Sequence, residues 1–499
     1  MLICSQPEMQ ELGLKSLIAS CACRSPQGIA ARQAMHFWHA EEKAELEEEF
    51  RIIGALRDYI PAHEAELAEA EAILGRFRTL SGSLRRLKEG QSLDETEFFE
   101  LKRALQFIRQ LSQMKELQKT ASVRLWPLPQ AEALLNPDGM NPLGFYVYSQ
   151  YSEKLAEIRQ EKKNLERKIA QSQGEERAEL LKERSLIVIE ERAETGEQLL
   201  YLSREMAKFA PDIECQLAGV SLLDFRLAKA RLAERWQAAQ PLILAPKKGS
   251  QIKGAFHPLR RQEVEDLGQR FTPQSIELED GSTIISGANM GGKSIALQSF
   301  LLALVLTQMG YCPPCEALST ELYDFFAYTA DLPGKASEGL SSFGMEASEI
   351  REQLRLAKEK RGLVVMDEPC RGTNPKEATA ITRALCQIYA ENRSSLLIAS
   401  HYHIPARAGQ YYYQIAGLRE NALDKAPPAS KAAEHKNTDD KQTKDRQAVR
   451  YIHQQMDYRL IKIDGSQPIP AAAIKIAEWM GIDHDAISCM RDHYEEINL

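Results

Sequence analysis

A glycine-rich segment in the second half of the chain has the spacing of a phosphate-binding loop. It fits the pattern G-x-x-x-x-G-K-[ST], follows an apolar run at residues 283–285 and precedes a helical pattern that starts at Ile295. Glycines let backbone N–H groups turn towards phosphates, and the N-terminus of the following helix favours anions. In such a loop the lysine reaches the β- and γ-phosphates, and the next hydroxyl binds Mg²⁺. The residues of the segment are Gly287, Ala288, Asn289, Met290, Gly291, Gly292, Lys293 and Ser294.

A second apolar run, at residues 363–366, ends in the two carboxylates Asp367 and Glu368. Ligands of open α/β sheets bind at the carboxyl ends of the strands, so both acids are expected at that edge. We predict that Asp367 holds Mg²⁺ through its waters and that Glu368 orients or deprotonates the attacking water. An apolar strand that ends in two acids is common by itself. It becomes specific only together with the phosphate-binding loop.

A third apolar run, at residues 396–399, is followed by Ser400 and His401. A histidine at the same sheet edge could sense the γ-phosphate or polarise the water, and we predict this role for His401. A lone histidine is more often structural, and we interpret His403 in that way because no further motif supports it.

These motifs resemble those of the MutS family of ATPases, whose usual forms are G-P-N-M-G-G-K-S-T, D-E-x-G-R-G-T, T-H-Y and G-x-S-T-F-x-x-E. An F-H-P triplet and a D-F-x-x-A-K-A segment upstream also match. The resemblance covers nearly the whole chain and is most specific in the ATPase region. The matching residues are 287–294, 367–373, 400–402, 339–346, 256–258 and 224–230.

The resemblance implies a homodimeric ATPase with composite sites that uses ATP and Mg²⁺. In such a dimer Ser341 of one subunit faces the γ-phosphate bound by the other, so hydrolysis depends on dimer geometry. His257 and Phe271 lie where the family packs the nucleotide base. The chain departs from the family pattern at several positions without losing a group that the chemistry needs. The replacements are Ala288 for Pro, Ile295 for Thr, Leu340 for Arg, and Pro369-Cys370 for an aliphatic-Gly pair.

A chain of 499 residues is too long for one ordinary domain. Helical patterns fill the first half, and strands alternate with helices in the second, as in an α/β domain. We therefore predict an α-helical lever and core domain followed by an α/β P-loop ATPase domain of the ABC/MutS type. The predicted boundaries are 1–239 for the helical domain, 240–420 for the ATPase domain, 421–450 for a disordered insert and 451–499 for a C-terminal strand and helical tail.

The helical domain is predicted to contain a long hairpin at about 152–208, whose two limbs meet near residues 172–174. The turn leaves no room for the β-rich clamp that DNA-clamping relatives carry there, and helices begin almost at residue 1. We therefore expect a short form without the mismatch-recognition and clamp domains. Mixed charge along the hairpin fits a solvated helix pair better than a groove that follows phosphates.

Two classes of macromolecule remain open as the client, that is, the partner on which the ATPase acts. The net charge is −8, whereas proteins that bind polyanions usually carry a basic excess, so the balance argues mildly against nucleic acid. The first hypothesis, slightly favoured, is a reactivating chaperone for an adenosylcobalamin-dependent aminomutase of the lysine 5,6-aminomutase type, working with a second subunit. The alternative is a DNA-binding MutS homologue that acts in mismatch repair or recombination.

The remaining sequence features favour a cytoplasmic protein that does not enter a membrane. No apolar run is long enough to span a bilayer, and the start lacks the basic and apolar regions of a signal peptide. Nine scattered cysteines fit reduced thiols. Structural zinc needs four ligands, so we interpret Cys312 and Cys315 as incidental thiols of a turn.

Overall fold

The computed structural model describes residues 9–10, 12–34, 36–139, 144–287, 292–329, 342–370, 373–392, 394–402, 404, 409–419, 451–465 and 473–498. The predicted insert at 421–450 lies outside these residues. The helices are α1 (Leu14–Ala19), α2 (Pro26–Ala34), α3 (Lys43–Tyr59), α4 (Glu64–Leu74), α5 (Ser81–Lys88), α6 (Glu95–Gln113), α7 (Lys115–Thr120), α8 (Pro129–Leu135), α9 (Glu153–Gln171), α10 (Gly174–Ala207), α11 (Ala210–Trp236), α12 (Pro258–Asp266), α13 (Lys293–Gln308), α14 (Ser342–Glu359), α15 (Pro375–Glu391), α16 (Ala473–Trp479) and α17 (His484–Asn498). The strands are β1 (Leu242–Ile243), β2 (Ser250–Ala255), β3 (Gln274–Leu278), β4 (Ser282–Ser286), β5 (Ala317–Thr320), β6 (Phe325–Thr329), β7 (Gly362–Asp367), β8 (Ser395–Ala399), β9 (Gln410–Leu418) and β10 (Met456–Ile463).

The chain divides into two compact units. One unit is formed by Cys21–Met35 and Ile52–Arg231, and the other by Met1–Ser20, His36–Arg51 and Leu232–Leu499. The second unit thus includes two early segments that the sequence patterns group with the helical domain. Contacts distant in sequence explain the difference, because the backbone N–H of Trp38 donates to the Gln308 carbonyl at 2.8 Å.

The unit formed by 21–35 and 52–231 contains only helices among its described regular elements. The long helices α9 and α10 pair antiparallel, with Ile158, Leu165, Ile169 and Ile187 buried between them. Three ion pairs join α9 to α10, namely Lys154–Glu194, Arg159–Glu191 and Arg184–Glu166. Residue numbers rise along α9 as they fall along α10, as an antiparallel pair requires. Gly174, with φ +64°, begins α10 directly after the two residues that separate the helices.

The D-F-x-x-A-K-A segment lies on α11, and its first residue anchors the start of α2. The buried Asp224 carboxylate accepts hydrogen bonds from the backbone N–H groups of Arg24 and Ser25, at 3.0 and 2.7 Å, and from the Ser25 hydroxyl at 2.6 Å. A carboxylate at a helix N-terminus is favoured by the helix dipole. Asp224 therefore has a structural role in this unit.

The α/β unit contains a six-stranded and a four-stranded sheet. The larger sheet has the order β10-β9-β4-β8-β7-β6, and the smaller has the order β1-β5-β2-β3. In the larger sheet every pair is parallel except β10 with β9. Its central strands are continuous apolar runs because helices cover both faces of such sheets. Helix α13 is buried along almost its whole length, as its apolar sequence predicts.

None of the helices in the described ranges is long and apolar enough to cross a bilayer.

Candidate functional site

Three parallel strands bring the sequence motifs to one edge of the larger sheet. Strand β8 lies between β4 and β7, and Ala399 on β8 is in register with both Ile285 and Asp367. The backbone N–H of Ser400 also donates to the Ile285 carbonyl at 3.0 Å, which fixes the chain just beyond β8. The carboxyl ends of the three strands therefore lie side by side, as expected for a ligand site of an α/β sheet.

A buried ion pair joins the start of α13 to the turn after β7. The Lys293 Nζ lies 3.0 Å from Glu368 Oε1, and the two side chains are only 4% and 7% exposed. The same ammonium group donates a hydrogen bond to the Gly287 carbonyl at 2.8 Å. Lys293 is the first residue of α13, and Gly292 before it has φ +84°, a conformation that suits glycine.

His401 lies next to this pair. Its Nδ1 is 3.7 Å from Glu368 Oε2, and its side chain is 37% exposed. The imidazole ring packs on Tyr402 with 4.1 Å between the ring centroids. Glu368 thus has a buried cation on one side and a partly exposed histidine on the other. This arrangement places the carboxylate between an ammonium group and an imidazole at the carboxyl edge of the sheet.

The turn after β7 has an unusual backbone. Glu368 and Cys370 have φ values of +48° and +64°, a region that residues with a side chain rarely adopt. The Glu368 N–H donates to the Ala399 carbonyl at 3.0 Å, and the Cys370 N–H donates to Glu346 Oε1 at 2.6 Å. Sequence reasoning assigned no role to Glu346. The family pattern has glycine at the position of Cys370, and this glycine was the sequence signal from which a left-handed backbone could have been predicted.

The two predicted Mg²⁺ ligands lie at the same edge. Ser294 is exposed at the second position of α13, and Asp367 is half-buried at the end of β7. Within the described ranges no three His, Cys, Asp or Glu side chains cluster closely enough to hold a metal ion by themselves. A Mg²⁺ ion at this edge therefore needs phosphate oxygens or water as further ligands, which is how proteins commonly bind it.

Five predicted site residues lie outside the described residues, namely Ala288, Asn289, Met290, Gly291 and Ser341. His403, which the sequence analysis interpreted as structural, lies outside them as well.

The two residues assigned to the base pocket have different environments. His257 is 2% exposed, and its Nε2 donates to the Leu12 carbonyl at 3.1 Å. Burial lowers the pKa of His257, although this hydrogen bond opposes the shift. Phe271 is half-buried in the connection between α12 and β3. The histidine thus holds an early segment of the α/β unit in place.

The Cys312 and Cys315 thiols are buried and not joined in a disulfide. Burial raises the pKa of Cys315 to about 12, so this thiol stays protonated at neutral pH. Both thiols lie in the turn between α13 and β5, and their interpretation as incidental stays a prediction.

Comparison with known proteins finds a family match within the α/β unit. Residues 283–427 match the family model of MutS domain V. The chain is similar to proteins called DNA mismatch repair protein MutS from Solibacter usitatus (28% identity over 243 residues, 48% of this chain and 27% of that protein) and Natronomonas pharaonis (31% over 230 residues, 45% and 26%). The protein of that name from Thermus aquaticus is 30% identical over 225 residues, 44% of this chain and 26% of its own length. The chain thus spans about a quarter of the length of these curated relatives.

Proposed function

We propose that this chain, whose residues 283–427 match the family model of MutS domain V, is an ATP-binding and ATP-hydrolysing switch protein. The observation that carries the proposal is the buried Lys293–Glu368 pair at 3.0 Å, with His401 beside it at the carboxyl edge of β4, β8 and β7. ATP hydrolysis needs a cation that binds the phosphates and a group that orients or deprotonates the attacking water. Lys293 and Glu368 supply these two groups in this proposal.

The residues at the edge fit a nucleotide triphosphate with Mg²⁺. Gly287 and Gly292 have φ values of +144° and +84°, which let a loop present its N–H groups to phosphates. Lys293 contacts the β- and γ-phosphates in this proposal, together with the loop residues from Gly287 to Gly292. Ser294 and Asp367 hold Mg²⁺, whose positive charge neutralises the phosphate oxygens when it is bound.

Glu368 orients or deprotonates the attacking water in this proposal. The Lys293 ammonium lowers the energy of the ionised carboxylate, which is the form that accepts a proton from water. When phosphates attract the lysine, the Glu368 carboxylate becomes available to the water. His401 senses the γ-phosphate from its position 3.7 Å from the carboxylate.

The active form is a homodimer with composite sites. Ser341 of one subunit completes the γ-phosphate site of the other, so the two subunits must approach for hydrolysis. The family resemblance supports this arrangement, and a donor supplied in trans couples the nucleotide to the geometry of the dimer.

A protein client fits the helical unit better than DNA does. Leu186 and Ile189 on α10 are 68% and 63% exposed, and they lie one turn apart, whereas the nearby Ile187 is buried against α9. Exposed apolar side chains on one helix face suit a protein surface, because DNA backbones are bound by cations. The specific form of this proposal is reactivation of an adenosylcobalamin-dependent aminomutase together with a second subunit.

The second candidate is a DNA-binding MutS homologue. It is favoured by the relatives, which are called DNA mismatch repair proteins. The similarity covers about a quarter of each of those proteins and includes domain V. DNA binding by this chain is thus proposed only by analogy with these relatives.

Equilibrium binding of ATP with Mg²⁺ tests the proposed function. We expect the parent chain to bind and Lys293→Ala to weaken binding at least about 100-fold, since it loses a charge-assisted contact to phosphate. Lys358→Ala is the matched control, because Lys358 is exposed on α14. A parent chain that binds no ATP, or a Lys293→Ala variant that binds as well as the parent, would contradict the proposal.

Stimulation of hydrolysis separates the two clients. The parent is assayed with duplex, mismatched and branched DNA at low and moderate salt, and with an inactivated aminomutase. Stimulation by DNA that weakens as salt rises supports the DNA homologue. Stimulation by the aminomutase without any effect of DNA supports the protein client.

A further inference from the structure

We propose that Glu346 is a positioning residue for Glu368, holding the turn after β7 in the conformation that aims the Glu368 carboxylate at the sheet edge. The inference rests on the proposed function, since it concerns the residue that handles the attacking water. It assigns a task to a side chain on α14 that accepts a hydrogen bond from the backbone of Cys370, two residues after Glu368.

The turn needs an external support because of its backbone. Glu368 and Cys370 both occupy the left-handed region, at φ +48° and +64°, and neither is glycine. Residues with a Cβ adopt this region at an energetic cost and persist there when surrounding contacts fix them. The family pattern has glycine at the position of Cys370, so this chain carries a strain there that glycine would avoid.

Glu346 supplies such a contact. Its Oε1 accepts a hydrogen bond of 2.6 Å from the backbone N–H of Cys370, which is fully buried. Hydrogen bonds to a carboxylate are stronger than those between neutral groups, and a buried N–H is costly to leave without an acceptor. The other side of the turn is fixed by the Glu368 N–H, which donates to the Ala399 carbonyl at 3.0 Å.

The support comes from a separate element. Glu346 lies in the second turn of α14, whereas Cys370 follows β7. Side chains of α14, including Ile350 and Ala357, pack in the same core cluster as Met366 and Cys370. A shift of α14 along this core would therefore pull on the turn through the Glu346 carboxylate. The hydrogen bond between Glu346 and Cys370 thus couples the position of α14 to the orientation of the Glu368 side chain.

A positioning role predicts a loss of turnover without a loss of nucleotide binding. We expect Glu346→Ala in the full chain to lower kcat for ATP at least about 10-fold while the Kd for ATP stays within about threefold, because the lysine and the loop are unchanged. Glu346→Gln keeps a side-chain oxygen as acceptor and should retain most of the activity. Glu352→Ala is the matched control, since Glu352 lies on the same helix and its carboxylate is paired with Arg355 at the surface.

Cys370→Gly provides the rescue. Glycine adopts the left-handed region without the cost of a side chain, so the turn needs less support. We expect Glu346→Ala with Cys370→Gly to recover several-fold more kcat than Glu346→Ala alone. Unchanged kcat in a folded Glu346→Ala variant would overturn the proposal. Equal loss of kcat and ATP binding without rescue by Cys370→Gly would also overturn it, because that result indicates a purely structural role.

A second readout does not depend on ATP hydrolysis. The rate at which N-ethylmaleimide labels Cys370 should rise at least about 10-fold in Glu346→Ala, since the turn loses the contact that holds it closed. The buried Cys386 serves as the internal control and should label at the parent rate. An unchanged rate at Cys370 would overturn the proposal even if the proposed ATPase activity were absent, and a selective increase would support it.

Discussion

The ammonium group of Lys293 and the carboxylate of Glu368 form a buried ion pair of 3.0 Å between the start of α13 and the turn after β7. The pair joins the two halves of the proposed site, one that binds phosphate and one that activates water. It also links the proposed reaction to the stability of the protein, because a buried charge that loses its partner destabilises the fold.

Replacement of Lys293 by alanine should lower stability as well as ATP binding. The variant leaves Glu368 in the interior without this cation, which costs about 3 kcal/mol in the free energy of unfolding. Urea unfolding followed by circular dichroism measures the change. The double variant Lys293→Ala with Glu368→Gln removes the unmatched charge and should recover part of the stability but no ATP binding. Equal unfolding midpoints for Lys293→Ala and the parent would show that the pair does not stabilise the fold.

His401 should affect turnover more than binding. Its Nδ1 lies 3.7 Å from Glu368 Oε2, beside the residue that acts on the attacking water in this proposal, whereas Lys293 supplies the cation that binds phosphate. We expect His401→Ala to lower kcat about 10-fold or more while the Kd for ATP changes little. His484→Ala is a suitable control, since that histidine is 94% exposed at the start of α17. A His401→Ala variant with parental kcat would leave His401 without a role in the reaction.

Composite sites make a prediction about mixed dimers. In the proposed dimer, Ser341→Ala would remove the donor offered to the partner subunit, and Lys293→Ala would remove the lysine that binds the nucleotide in its own subunit. Each variant alone should be nearly inactive. In a mixture, half of the dimers combine both variants and hold one complete site, so roughly a quarter of the parent rate should return. No recovery after verified subunit exchange would argue against a donor in trans.

The helical hairpin should lose stability in acid through Glu191. Burial raises the pKa of Glu191, but hydrogen bonds from Lys162 and Arg159 outweigh it and hold the pKa below the usual 4.5. A depressed folded-state pKa stabilises the protein above the unfolded pKa, and this contribution disappears as pH falls through the folded value. Glu191→Gln should therefore cost about 1 kcal/mol near neutral pH and progressively less below about pH 4.5. Thermal unfolding of the parent and of Glu191→Gln at several pH values measures the stability difference between them. A difference that stays constant with pH would contradict a lowered pKa for Glu191.

Local sequence patterns predicted the strands at the site. The apolar runs ending at Ile285, Met366 and Ala399 correspond to β4, β7 and β8. The motifs also indicated which residues meet at the sheet edge, because parallel strands bring their carboxyl ends together. These features depend on residues that are close in sequence or on a general rule of α/β sheets.

Other features depend on contacts that no local pattern contains. The placement of early segments in the α/β unit follows from bonds such as His257 to Leu12 and Trp38 to Gln308. The contact of Glu346 with Cys370 likewise joins two separate elements. A left-handed backbone at Cys370 runs against the preference of that residue type, so the cysteine itself does not predict it and only the glycine of the family pattern at this position indicates it.

Steady-state ATP hydrolysis by the full chain, with and without Glu368→Gln, tests the central claim most directly. The substitution keeps the size of the side chain and removes the carboxylate that, in this proposal, orients or deprotonates the attacking water. Glu352→Gln on the surface of α14 is the control. The account predicts that the parent and the control hydrolyse ATP, whereas Glu368→Gln binds ATP and turns it over at least about 100-fold more slowly. Hydrolysis at the parent rate by Glu368→Gln would contradict the account.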